Sequence, residues 1–404
     1  MPNWRRTLYI VFFAQVISSA GFSIIFPFLP LYIKDLGSTT GVSLEFWVGM
    51  VFSAQAFTMM LAAPVWGTLA DRYGRKLMVE RAMFGGAIIL FLMAFAQSAE
   101  QLVVMRAIQG LITGTVAAAN ALVAAAVPRE RVGYAMGLLQ TALWGGVAVG
   151  PLIGGVLADT LGFHAPFIFT SALLLLAGVA VWWGVDEGFT PASAHLDERV
   201  GFIKEWRHVL ATPGVSLTYA LEFLTGLGRF MIVPILPLFM QSLLPPDAAV
   251  STVTGLAVGV SSATATLGAV LLGRLGDQVG HRWIVVVCAL AGALIYIPQV
   301  FVTQAWQILV LQALGGFAMG GLVAAPSALL ARYTQPGEEG AVYGIDNSVV
   351  SGSRAVAPLM GAGIAAVLGY RGTFAATALL MLGVAILALR CLPRLMPEAR
   401  LKVL

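Results

Sequence analysis

Gly67-Thr68-Leu69-Ala70-Asp71-Arg72-Tyr73-Gly74-Arg75-Lys76 returns in weaker form as Gly273-Arg274-Leu275-Gly276-Asp277-Gln278-Val279-Gly280-His281-Arg282. Each copy sits where one long apolar run ends and the next begins. Other pairs keep the same spacing. Pro27 and Pro30 return as Pro234 and Pro237, and Arg106-Ala107-Ile108-Gln109-Gly110 as Gln312-Ala313-Leu314-Gly315-Gly316. Pro151-Leu152-Ile153-Gly154 returns as Pro358-Leu359-Met360-Gly361. The offset is 206 or 207 in each case, about half of the 404 residues. The chain reads as an internal duplication in which each half builds the same bundle.

Composition names the solvent. Hydrophobic residues make up 59% of the chain and charged residues 10%, against about 25% charge in soluble domains. The apolar runs supply the roughly 20 residues that cross a bilayer. Spans are expected at 7–34, 45–70, 77–97, 101–127, 131–159, 163–185, 213–243, 250–275, 283–302, 305–332, 340–367 and 371–391. The expected fold class is therefore an all-α integral membrane protein. Its twelve transmembrane helices form two pseudo-symmetric six-helix bundles, 1–185 and 213–404, joined by a polar linker at 186–212. Within the linker, Val200, Ile203, Trp206, Val209 and Leu210 fall on one side of a helix. That pattern predicts a short amphipathic helix on the membrane surface. The run 7–33 exceeds the ~7–15 residues of a signal-peptide core, so it reads as the first span.

Twelve spans put both termini on one side of the membrane. Of the 23 Lys and Arg residues, 18 fall on or beside that side, and Lys34 and Arg371 fall on the other. Positive-inside bias makes the crowded side cytoplasmic, with the protein in the cytoplasmic (inner) membrane. The net charge of +4 is spread over many short segments, which argues against a nucleic-acid surface. Cys288 and Cys391 lie far apart and frame no disulfide or metal pattern. The four histidines fall at span ends or in loops, and no P-loop, zinc-ligand cluster or nucleophile motif is present. An enzyme or receptor is thereby disfavoured. The implied class is a monomeric transporter that uses no cofactor and draws on an ion gradient.

Charge inside the spans is costly, at least ~2.5 kcal/mol per group, so each such group needs a partner or an aqueous cavity. Arg106, Glu222, Arg229, Asp346 and Arg354 are those groups. With ~1.5 Å rise per residue, Glu222 lies about a dozen ångströms in from the cytoplasmic end of span 7, and Arg229 about ten further out. Span 11 repeats the order with Asp346 and Arg354. The expectation is two carboxyl groups nearer the cytoplasm and three guanidiniums nearer the exterior. Glu222, Asp346 and Arg106 are the proton-coupling candidates, with interhelical ion pairing as the alternative. Gln15, Gln140, Trp144, Tyr219, Arg229, Asn347 and Arg354 are candidate cavity residues.

The repeated loop carries a different logic. Gly67 and Gly74 allow close helix contact and a sharp reversal. Asp71 can engage a helix N-terminus or a basic residue and so act as a gate. Arg72, Arg75 and Lys76 set topology and share in the gate, and Asp277 is the acid kept in the second copy.

These segments resemble the major facilitator superfamily, and within it the twelve-span drug:proton antiporter branch. Segment 67–76 looks like that superfamily's loop signature between spans 2 and 3, and 106–110 like the span 4 motif whose Arg is implicated in proton transfer. Gly146, Gly150, Pro151, Gly154 and Gly155 match the span 5 antiporter motif G-x-x-x-G-P-x-x-G-G at every fixed position. Asn3-Trp4-Arg5-Arg6, Pro27-Phe28-Leu29-Pro30-Leu31-Tyr32 and Ala119-Asn120-Ala121-Leu122 look closest to multidrug efflux transporters of MdtG type. The resemblance implies proton-driven export of drug-like amphipathic molecules. Some members carry an acid in span 1; here 7–33 contains none, which shifts the coupling role to Glu222 and Asp346. The three guanidiniums keep an anionic substrate, such as an organic acid or a lipid-like anion, as the alternative.

Overall fold

A computed structural model describes residues 4–187, 214–333 and 339–392. The linker helix expected at 200–210 lies outside them. Described elements are helical throughout: α1 Trp4–Ile24, α2 Leu29–Leu36, α3 Leu44–Tyr73, α4 Arg75–Met93, α5 Ala99–Ile112, α6 Thr115–Ala126, α7 Val132–Leu161 and α8 His164–Gly184. They continue as α9 Val215–Met231, α10 Leu236–Leu243, α11 Val250–Val279, α12 His281–Gln299, α13 Ala305–Tyr333 and α14 Glu339–Cys391.

Ten segments are long and apolar enough to span a membrane, and the last, Gly344–Cys391, holds two spans. It breaks at Gly369, whose φ of 73° leaves the right-handed helix. The remaining span is α4, whose Arg75, Lys76, Glu80 and Arg81 dilute an otherwise apolar helix. Twelve spans follow, as the sequence predicts.

Two spans are interrupted where the paired prolines stand. α1 ends at Ile24 and α2 opens at Leu29; α9 ends at Met231 and α10 opens at Leu236. Proline has no amide proton and clashes with the preceding turn, so a kink becomes a full break in both halves. A third interruption was not foreseen. Thr113 and Gly114 divide span 4 into α5 and α6, with Gly114 at φ 134°. Local caps fix other helix starts: Ser43 accepts the Phe46 amide at 3.4 Å and Ser98 the Gln101 amide at 3.3 Å.

By their contacts, Met1–Ser193 and Leu236–Gly259 form one compact unit, and Ala194–Ile235 with Val260–Leu404 form another. Each half was expected to hold its own residues, but α10 and the start of α11 cluster with the first half. Backbone packing is the reason. A methyl on Gly155 would overlap the Ser251 carbonyl, and one on Gly255 the Pro151 carbonyl. In the first unit Leu8, Val11, Val79, Met83, Leu122, Val123 and Val181 share a buried cluster. In the second, Val215, Tyr219, Leu330, Val342 and Ile345 share another, as do Leu227, Met231 and Ala357. Large apolar side chains remain on the outside, including Trp183, Val367 and Leu379. Such a surface suits lipid and would be a liability in water.

Candidate functional site

In the second unit, α9 and α14 are stitched together at successive turns. The Tyr219 hydroxyl donates to the Val342 carbonyl at 2.8 Å. One turn further on, the Glu222 and Asp346 side chains share a hydrogen bond. Ionised carboxylates only accept, so a bond between two carboxyls holds a proton. Glu222 Oε2 and Asp346 Oδ1 are both buried with no hydrogen-bond partner among the described residues. Neither group forms an ion pair there. The site is thus a carboxyl pair with two unused acceptor atoms, unlike a structural salt bridge. Tyr219, expected in a cavity, is buried and its hydroxyl is committed to the backbone. Asn347, next to Asp346, is exposed.

About two turns beyond the acids, Arg229 and Arg354 converge. Their guanidiniums lie 5.4 and 5.2 Å from the centre of the Phe230 ring. Arg354 Nε is buried without a hydrogen-bond partner among the described residues. The expected layering of acids and then guanidiniums therefore holds along α9 and α14.

Arg106 belongs to the first unit, so the five intramembrane charges divide between the two units. It is 1% exposed. Its Nη1 donates to Gln109 Oε1 at 2.7 Å and its Nε to the Val51 carbonyl at 3.3 Å, while Nη2 is buried without a partner among the described residues. The Phe52 ring lies 5.8 Å away, and none of these neighbours is an acid. Gln15, the repeat counterpart of Glu222, is equally buried and donates to Ser19 Oγ at 3.1 Å. On α7, Gln140 is exposed and Trp144 half-buried.

The loop between α3 and α4 is pinned from within the same unit. The Glu187 carboxylate accepts the backbone amides of Arg75 at 2.9 Å and Lys76 at 2.8 Å, capping α4. Arg75 Nη1 donates to the Ala121 carbonyl and Lys76 Nζ to that of Trp182; Lys76 also pairs with Glu80. Arg72 is exposed and lies over the Tyr73 ring. Asp71 falls in the last turn of α3, and its side chain is outside the described set. The two loop glycines differ. Gly74, at φ 101°, makes the reversal, but nothing lies within 4 Å of where a Gly67 side chain would start. The close helix contact expected of Gly67 is therefore absent here. In the second copy, Asp277 meets His281 at 3.1 Å and Arg332 at 3.9 Å.

The glycine run in α7 is a packing device. Gly146, Gly150 and Gly154 lie on the Val16, Ala20 and Ile24 carbonyls of α1. Pro151 is buried between them, and Gly155 turns toward α11. Glu187 and Asp159, whose contacts proved important, were not candidates. Their signal was available: an acid directly after span 6, and an acid in the last turns of a helix where its own dipole opposes it.

The Major Facilitator Superfamily sequence profile matches residues 11–221 and, separately, 218–403. The chain belongs to the major facilitator superfamily. Two curated relatives are both named multidrug resistance protein MdtG. That of Serratia proteamaculans is 37% identical over 396 residues, covering 97% of this chain and 95% of its own. That of Salmonella dublin is 36% identical over 380 residues, 93% of each chain. Among solved structures, a point mutant of the nucleoside transporter NupG superposes with a TM-score of 0.81 at 12% identity. The superposition covers 97% of this chain and all of that one, and it supports the fold. The double profile match restates the internal duplication. This major facilitator protein is a multi-pass membrane transporter of small molecules and not an enzyme.

Proposed function

We propose that the chain is a proton-coupled antiporter of the cytoplasmic membrane that exports drug-like amphipathic molecules by alternating access. The observation that carries this reading is the Glu222–Asp346 carboxyl pair, a bound-proton site on two helices of one unit. Loss of that proton leaves two adjacent negative charges, a state that favours separation of α9 from α14 or entry of a cation. Proton release and helix movement are coupled in this way. The multidrug resistance relatives and the α7 glycine motif support export as the direction. The positive-inside count supports cytoplasmic termini and a monomer oriented as the sequence predicts.

The test is Glu222→Gln in proteoliposomes. The variant is expected to bind drug and lose uptake or release driven by an imposed pH gradient. A variant that responds fully to the gradient overturns the coupling role.

A second reading, export of organic or lipid-like anions, is favoured by Arg229 and Arg354 meeting at Phe230. Guanidinium pairs suit carboxylate and phosphate geometry. Competition of anionic and cationic compounds against one fluorescent reporter separates the readings; inhibition by cations alone removes the anion.

A further inference from the structure

Asp159 stands near the C-terminal end of α7, where a negative charge is opposed by the carbonyl end of its own helix. Its oxygens are used elsewhere. They accept the backbone amides of Ser251 at 3.2 Å and Thr252 at 2.7 Å, in the first turn of α11. Those amides have no acceptor within their own helix. The hydroxyls of that turn do not take the role, since Ser251 Oγ and Thr254 Oγ1 are buried without partners among the described residues.

The internal repeat shows what is unusual here. The counterpart of α11 is α3, which is capped by its own Ser43. At an offset of 206, Ser43 corresponds to Ala249, which has no cap to offer. At an offset of 207, Asp159 corresponds to Ala366. The second half has thus given up a local cap and takes one from a different helix. A local cap moves with its helix, whereas a borrowed cap breaks when the two helices part.

The surface beneath this contact is made for parting. Gly155, Gly255 and Gly259 set α7 and α11 backbone against backbone, with no large side chains interlocked at those positions. The first ten residues of α11 cluster with the unit that holds α7, and the rest of α11 with the other. At the same end, Lys34 donates to Gln241 at 2.7 Å.

We propose that Asp159 is a releasable clasp at the exterior end of the transporter, holding α11 to α7 while that end is shut and letting go when it opens. The proposal rests on the alternating-access reading above. It adds a positioning residue outside the carboxyl pair and the motifs.

The test uses the full chain with Cys288→Ser and Cys391→Ser, and Lys34→Cys with Gln241→Cys as reporters of exterior closure. Cross-linking by a short bismaleimide is followed in membranes with Asp159, Asp159→Asn, Asp159→Ala, and Asp159→Ala combined with Ala249→Ser. Loss of the charged hydrogen bonds should slow cross-linking about ten-fold in the single variants. Ala249→Ser should restore thermal stability, because it supplies a local cap as Ser43 does, yet leave cross-linking slow. Wild-type cross-linking in Asp159→Ala overturns the proposal, as does full recovery of cross-linking with Ala249→Ser. The reporter needs neither drug nor proton gradient. Absent efflux with Asp159-dependent cross-linking therefore removes the export reading alone, and efflux without that dependence removes the clasp alone.

Discussion

Gly154 packs directly on the carbonyl of Ile24, and 207 residues later Gly361 packs in the same way on Met231. The two contacts are copies of one helix crossing, between spans 5 and 1 and between spans 11 and 7. A methyl at either glycine meets backbone, which cannot rotate away. Gly154→Ala and Gly361→Ala should each cost about 1–3 kcal/mol, as overpacking does. Gly145→Ala and Gly363→Ala are the controls, because open space surrounds both positions. Alanine is the better helix former there by about 1 kcal/mol, so the controls should hold or gain stability. Thermal unfolding of the detergent-solubilised protein checks all four. Equal losses in both groups would mean that helix approach is not what these glycines provide.

The carboxyl pair makes its own prediction. If Glu222 and Asp346 share one proton, removing either acid removes the same function. Glu222→Gln and Asp346→Asn should each abolish gradient-driven flux, and the double variant should be no worse than either single one. Losses that multiply would assign the two acids to separate steps. Tyr219→Phe is the structural counterpart. It deletes the hydrogen bond to Val342 and should cost about 1 kcal/mol of stability while the response to the gradient remains.

The repeat made most of the fold legible, because its marker residues act locally. Pro27, Pro30, Pro234 and Pro237 break helices wherever they stand, and Gly74 and Gly280 turn the chain at matching positions, at φ 101° and 94°. The acids and guanidiniums of α9 and α14 were legible for a similar reason: helical rise fixes depth. The caps were not. Asp159 reaches α11 across 92 residues and Glu187 reaches α4 across 112, and no periodicity encodes such a bond. Gly114 was hidden too, since one glycine in an apolar run reads equally as packing or as a break. Gly67 shows the converse, a motif glycine with open space around it in this conformation.

Glu187 should be the keystone of the first loop. Its carboxylate satisfies two amides at the start of α4 that Gly74 cannot cap. Glu187→Ala should lose about 0.5–2 kcal/mol, the range for a lost N-terminal cap. The loss should be local, with faster amide hydrogen exchange at Arg75 and Lys76 and unchanged exchange in α7. Glu187→Gln keeps an acceptor oxygen and should recover part of the protection. Unchanged exchange at Arg75 in Glu187→Ala would mean that the neighbouring side-chain bonds of Arg75 and Lys76 suffice to hold the turn.

Arg106 sets stability against function. It is a buried cation with amide and carbonyl neighbours but no acid among them, an arrangement that packing alone does not favour. Replacing such buried charge by an apolar group of similar size is often neutral or stabilising by about 1–4 kcal/mol. Arg106→Met should therefore melt at or above the wild-type temperature while transport falls at least about ten-fold, a cost that stabilising changes at functional sites commonly carry. Arg106→Lys should be worse on the first measure, since a single ammonium keeps the desolvation cost but cannot serve Val51 and Gln109 as a fork does. Melting and flux measured on the same preparations decide the matter. If Met unfolds the protein and Lys preserves both stability and flux, Arg106 is a structural strut between α5 and α3.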